Sequence, residues 1–148
     1  MQRYFSKELV DNNFILNDDD VYHIRKVMRI LNGEFVEVVY NAEVYRCCIQ
    51  DVNKKTVAKI VEKYETIVSS KPKITLIIPF LKEQKLDLIF QKSTELGVDE
   101  IILTELEHSI VKISKDKIAN KLTRWQKIMK EASEQSMRVD IPTLRILS

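Results

Sequence analysis

Apolar and polar positions change rhythm midway along the chain. The first half holds short runs. Arg3-Tyr4-Phe5 is a strand candidate. Asp18-Asp19-Asp20 then precedes Val21, Ile24, Val27, Met28 and Leu31. Acids followed by this spacing predict an amphipathic helix, ended by Asn32-Gly33. Its opposite face carries His23 and Lys26, with Arg29 near them. Three β-like runs follow: Phe35 to Tyr40, Val44 to Ile49 and Thr56 to Tyr64. Asn41-Ala42 and Asn53-Lys54-Lys55 make the turns between them. Short strands joined by tight turns predict a small antiparallel barrel over residues 1–70.

Residues 65–72 read as a linker, and the pattern then changes. Ile74 to Ile78 is continuously apolar, as in a strand buried on both faces. Glu83 to Leu96 places Leu86, Ile89, Phe90 and Ser93 on one helical face, and Gly97 suits the C-terminal cap. Ile101-Ile102-Leu103 is a second buried strand. Strand, helix, strand predicts a βαβ unit with parallel strands. Ser114 is the expected N-cap of a long helix. Ile118, Leu122, Trp125, Met129 and Ala132 form its apolar stripe, so Trp125 is read as core. Arg124, Glu131, Gln135 and Arg138 fall together on a different face. Ile141-Pro142 ends the helix, and Thr143 to Leu147 starts another strand. An α/β domain over 73–148 with so few strands looks incomplete, because parallel sheets normally have both faces covered.

Composition removes several chemistries. Two glycines, Gly33 and Gly97, cannot build a phosphate loop, a dinucleotide fingerprint or a nucleophile elbow. His23 and His108 are far apart, and Cys47 and Cys48 are adjacent, so no metal-ligand spacing exists and no metal is expected. Apolar runs are too short to span a bilayer, and Met1-Gln2-Arg3-Tyr4 has no signal-peptide core; a cytoplasmic protein is expected. The net charge is only +2, but basic residues cluster from Lys112 to Lys130 and at His23, Arg25, Lys26 and Arg29. Such clusters suit phosphates, or a solvated helix face.

Four segments carry a family resemblance: Arg-Tyr-Phe near the start, HIRKVMRILNGE (23–34), QKSTELGVDEIILTE (91–105) and RWQKIMKEASEQSMRVDIP (124–142). Together they resemble the RsmE family, methyltransferases acting on uridine N3 of small-subunit (16S) ribosomal RNA. The resemblance implies a PUA-like RNA-binding barrel and a SPOUT-type α/β domain with a trefoil knot. It also implies S-adenosylmethionine as cofactor, the small ribosomal subunit as partner, and a homodimer. The family's Gly-Pro-Glu-Gly-Gly loop and Leu-Gly-x-Arg-Ile-Leu-Arg segment are absent, so the chain resembles the N-terminal three-fifths and is expected to be inactive alone. Two smaller departures are Glu107-His108-Ser109, where the family usually has Glu-Arg-Ser, and Met137, where it often has Gly.

On this resemblance Arg138 lies on the substrate side, where a guanidinium could stabilise charge developing on a uracil ring. Its alternative is an ion pair with Glu134 or Glu131. Glu131 and Gln135 would orient it or touch the base. Lys82 follows a parallel strand at its carboxyl end, where open α/β sheets bind ligands. With Arg3, Arg25, Lys26, Arg29 and Arg124 it makes the expected RNA contacts. Glu95 is expected to pair with a basic group across the domain. The rival to an enzyme is a non-enzymatic RNA-binding module of the same ancestry, and a third reading is a protein-interaction domain using an apolar sheet face.

Overall fold

The computed structural model describes residues 1–65, 71–105 and 115–147. The Ser114 cap and the Glu107-His108-Ser109 segment lie outside the described residues, as does most of the linker. The chain forms two compact units, Met1–Ser69 and Ser70–Ser148.

In the first unit, strands β1 (Arg3–Phe5), β2 (Glu8–Val10), β3 (Asn13–Ile15), β4 (Phe35–Tyr40), β5 (Glu43–Val52) and β6 (Lys55–Lys63) form one sheet. Their order is β1-β4-β5-β6-β3-β2. Three hairpins share one turn design: Asp11-Asn12, Asn41-Ala42 and Asn53-Lys54 all have positive φ at both loop residues. That is the type I′ geometry, whose twist matches the flanking strands. Alternation along β4 and β5 turns Val36, Val38, Cys47 and Ile49 into a core with Tyr4, Phe14 and Ile24. Burial pushes the Cys47 thiol pKa up to about 12.

The expected antiparallel barrel is corrected here. The sheet is not closed, and β1 runs parallel to β4. The edge strands β1 and β2 have only three residues each and do not pair with one another, and Ser6 stands between them. Its N–H donates to Val39 of β4 at 3.0 Å, and its hydroxyl donates to the Ile15 carbonyl of β3 at 2.8 Å. Opposite ends of the sheet thus meet through one residue rather than through a ladder.

The helix expected to run to Asn32-Gly33 is also shorter. α1 covers Asp18–Tyr22, capped by the Asn17 side chain, which accepts from Asp20 N–H at 2.7 Å. A π-helical turn, His23–Val27, follows, with Met28 N–H donating to His23 O at 2.8 Å. Arg29 then takes φ 53°, and Val27, Met28 and Leu31 are exposed rather than forming a buried stripe. Anchors on neighbouring strands override the periodicity. Arg25 reaches Thr56 and Asp51, while Gly33 N–H donates to Ile49 O at 2.8 Å. These contacts pull the segment down onto β5.

In the second unit β7 (Thr75–Pro79), β8 (Glu100–Thr104) and β9 (Thr143–Leu147) are parallel and lie in that order. α2 (Glu83–Leu96) follows β7, and α3 (Lys115–Gln135) precedes β9. Leu86 and Phe90 of α2 join Trp125 and Met129 of α3 in a core with Ile78, Ile101 and Leu103. Trp125 is fully buried, with its ring centroid 5.4 Å from that of Phe90. Only the central strand β8 is buried on both faces. In β7 the expectation fails, because Ile77 is 64% exposed. β7 is an edge strand among the described residues, and its odd face has no covering element there.

Candidate functional site

α2 and α3 run side by side in the same direction. Near their starts Lys121 and Arg124 pair with Glu83, at 3.2 and 2.8 Å. One turn on, Arg124 grips the Asp87 carboxylate with both terminal nitrogens. The Asp87 hydrogen bond holds the Arg124 pKa above its ordinary value. Arg124, named as an RNA contact, is therefore already paired with two acids, although it remains half exposed.

Further along, the helix pair borders an open, shallow cavity of about 400 Å³. Glu131 and Gln135 of α3 line it with Asp87, Leu88 and Gln91 of α2 and Ile128. Two of the expected site residues are thus brought together. The α2 partners were missed, although Gln84, Asp87, Leu88 and Gln91 repeat at three- and four-residue steps away from Leu86 and Phe90. That step was the available signal.

Arg138 does not line this cavity. It sits past the end of α3, with a side chain 10% exposed. Its Nη1 donates to the carbonyls of Thr94 at 2.9 Å and Val98 at 2.8 Å, and its Nη2 pairs with Asp140 at 3.1 Å. Val98 leads into β8 and Asp140 precedes β9, so this cluster lies at the amino ends of the strands. Open α/β sheets bind ligands at the opposite edge. Lys82 is at that carboxyl edge: exposed, at the N-cap of α2, with its carbonyl accepting from Lys85 and Leu86 N–H. Glu95 pairs within its own helix, with Lys92 at 3.3 Å, rather than across the domain. Thr94 Oγ1, Trp125 Nε1 and Ser133 Oγ are buried without hydrogen-bond partners among the described residues.

The four arginine and lysine candidates of the first unit divide. Arg3 pairs with Glu37, its register partner on β4, through Nε at 3.0 Å. Arg25 spends its guanidinium on Thr56, Asp51, Asn32 and the Ile30 carbonyl. Both are structural pins. Lys26 and Arg29 are exposed. His23 is bound to the Tyr4 hydroxyl at 2.8 Å through Nδ1.

An open six-stranded sheet followed by a three-stranded parallel α/β unit is the class of fold that the chain presents. The RNA methyltransferase PUA domain family matches residues 16–62, and the RNA methyltransferase domain family matches residues 69–148. The chain belongs to the RsmE family. It is similar to ribosomal RNA small subunit methyltransferase E of Bacillus subtilis, 33% identical over 96% of this chain and 58% of the relative. With the enzyme of that name from Mesomycoplasma hyopneumoniae it shares 34% identity over 99% of this chain and 62% of the relative. The solved Neisseria gonorrhoeae ribosomal RNA small subunit methyltransferase E, bound to S-adenosyl methionine, superposes with a TM-score of 0.85 at 29% identity. That match covers 99% of this chain and 62% of that one. The chain therefore spans about three fifths of the length of these relatives.

Proposed function

We propose that this chain carries the RNA-recognition unit and the first part of the catalytic unit of a methyltransferase. The full-length enzyme would transfer a methyl group from S-adenosylmethionine to N3 of a uridine in small-subunit ribosomal RNA. The observation that carries this reading is the succession of both family units in one chain at 33% identity over 96% of its length.

The α2–α3 groove does not fit S-adenosylmethionine. It is lined by Gln84, Asp87, Gln91, Glu131 and Gln135 with Leu88, Ile128 and Ala132, and none of these is an aromatic side chain to stack an adenine. The buried orphan hydroxyls of Thr94 and Ser133 do not line it. No step of methyl transfer is therefore assigned to these residues. In the family resemblance the cofactor loops and knot belong to the part of the relatives that this chain does not span. Uridine N3 must lose its proton as it attacks the methyl carbon, so cationic stabilisation of the ring would help. Arg138 commits its donors to Thr94, Val98 and Asp140, and in this chain it acts as a clasp between α2 and α3.

The poor cofactor fit favours the second reading, a non-enzymatic RNA-binding module, for any species that consists of these residues alone. Incubating the purified chain with labelled S-adenosylmethionine and small-subunit ribosomal RNA tests both. Salt-sensitive RNA binding without methyl transfer is expected. Methyl transfer by the chain alone would overturn its predicted inactivity, and salt-independent binding would count against RNA as the partner. Intact mass of the protein from its own cells separates the two readings: a species well above 17.4 kDa supports the enzyme, one at 17.4 kDa the module.

A further inference from the structure

We propose that the turn from Tyr22 to Arg29 is a contact for single-stranded RNA, in which Tyr22 stacks on a base and Lys26 and Arg29 hold flanking phosphates. This deepens the RNA reading above and rests on it.

The argument starts from what is left uncommitted. Tyr22, the last residue of α1, is 62% exposed, a large apolar ring left in water. Lys26 follows one turn later, so it shares a side of the helix with Tyr22. Among the described residues, neither Lys26 nor Arg29 has an ion pair or side-chain hydrogen bond, in contrast to Arg3 and Arg25. Val27, Met28 and Leu31, next to them along the chain, are also exposed.

The segment is also built to stay rigid. Arg25 ties the turn to Thr56, Asp51 and the Ile30 carbonyl. Ile30 N–H donates to Ile24 O at 2.8 Å, which fixes the residue before it. Arg29 is thereby held at φ 53°, a left-handed conformation that strains a non-glycine residue. Strain of this kind persists where the surroundings over-determine it, and it clusters at functional sites. π-helical turns show the same tendency.

Ring, apolar rim and cations select the occupant. Duplex RNA hides its base faces in the stack and presents phosphates and a shallow groove. Only unpaired bases can use an aromatic platform. Charge also sets the path. Asp18 and Asp19 are exposed one turn before Tyr22 and repel phosphate. The strand should therefore run from Tyr22 towards Arg29.

Fluorescence anisotropy on the full chain tests this, using a labelled oligouridine of about 12 nucleotides, within single-strand footprints of ~4–16. A duplex RNA of the same length is the comparison. Tyr22→Ala should weaken single-strand binding at least about 5-fold, the low end of base stacking, and leave the salt slope unchanged. Tyr22→Phe should bind within about 2-fold of the parent, because the ring is kept. The Lys26→Gln/Arg29→Gln double variant should lower the slope of log K against log salt by about 1.4, at ~0.7 per phosphate. All substituted side chains are exposed, so unchanged thermal unfolding is expected. If the parent binds with a steep salt slope and Tyr22→Ala matches it, the platform is wrong and the RNA reading stands. Equal losses on duplex and single strand also overturn the platform. If the parent chain binds neither RNA, the platform and the RNA reading of this unit fall together, and a protein partner for the apolar rim takes their place.

Discussion

Gly97 and Met137 hold the same position at the ends of two parallel helices. Gly97 N–H donates to Thr94 O at 3.1 Å and Val98 N–H to Ser93 O at 3.0 Å. Met137 N–H donates to Glu134 O at 3.4 Å and Arg138 N–H to Ser133 O at 2.9 Å. Both pairs are the Schellman pattern, closed by a residue of positive φ: 99° at Gly97 and 60° at Met137. The next residue differs. Val98 buries an apolar side chain, whereas Arg138 reaches back to the end of α2 and donates to the Thr94 and Val98 carbonyls. One cap thus locks the other.

Removing that lock should be felt as stability. Arg138→Ala leaves Thr94 O with only the Gly97 N–H and takes the Arg138 donor from Val98 O, and should cost about 1–3 kcal/mol, the range for one unsatisfied buried group. Arg138→Lys should recover only part, since one ammonium cannot reproduce a planar fork facing two carbonyls and Asp140. Urea midpoints of the full chain measure this. Hydrogen exchange at the last turn of α2 should speed up in parallel. An alanine variant within about 0.5 kcal/mol of the parent, the usual range for a surface substitution, would show that the clasp carries no strength.

Much of the second unit was legible, because its elements follow local rules. The 3.6-residue stripe ending in Trp125 and Met129 became the core, and Gly97 became the cap. The third parallel strand, Thr143–Leu147, was visible as an apolar run after Pro142. What local pattern could not carry was pairing between distant residues. Nothing in the spacing of Val21 to Leu31 reveals that Arg25 will reach Thr56 and Asp51 and break the helix into a π turn. Nothing near Arg124 says that Asp87 and Glu83 will occupy it. Ser6 bridges the two sides of the open sheet by bonds to Val39 and Ile15, and a lone serine gives no signal of that. Glu131 and Gln135 come together because one helix holds both, whereas the α2 residues beside them could not be read from the spacing of α3.

The Arg25 anchor makes a prediction about acid. Asp51 receives hydrogen bonds from Asn32, Thr56 and Arg25, which together hold its pKa below the usual carboxylate value. A lowered folded value means the stabilisation is fully present above the unfolded pKa, about 3.9. It is lost as pH falls through the folded value. Asp51→Asn should therefore melt lower than the parent at neutral pH, and the gap should close as the solution is acidified through the carboxylate range. Thermal unfolding across that range checks the sign. A gap that stays constant with pH would mean that the carboxylate charge contributes nothing to holding the turn.

Met137→Gly should stabilise the protein, and Gly97→Ala should destabilise it. At both positions the backbone is left-handed, which costs a residue with a Cβ roughly 1–2 kcal/mol and costs glycine nothing. A Cβ at Gly97 would meet nothing within 4 Å, so its penalty is the backbone alone. Introducing glycine at 137 loosens the unfolded chain and returns about 0.4–1 kcal/mol of that gain. Met137 is 46% exposed, so little apolar burial is forfeited. The net expectation is a gain of up to about 1 kcal/mol for Met137→Gly and a loss of about 1–2 kcal/mol for Gly97→Ala, read from urea midpoints on one scale. Loss of stability in Met137→Gly would mean that the methionine side chain contributes more by packing than its φ costs. The two caps would then be alike in hydrogen bonding and different in what sustains them.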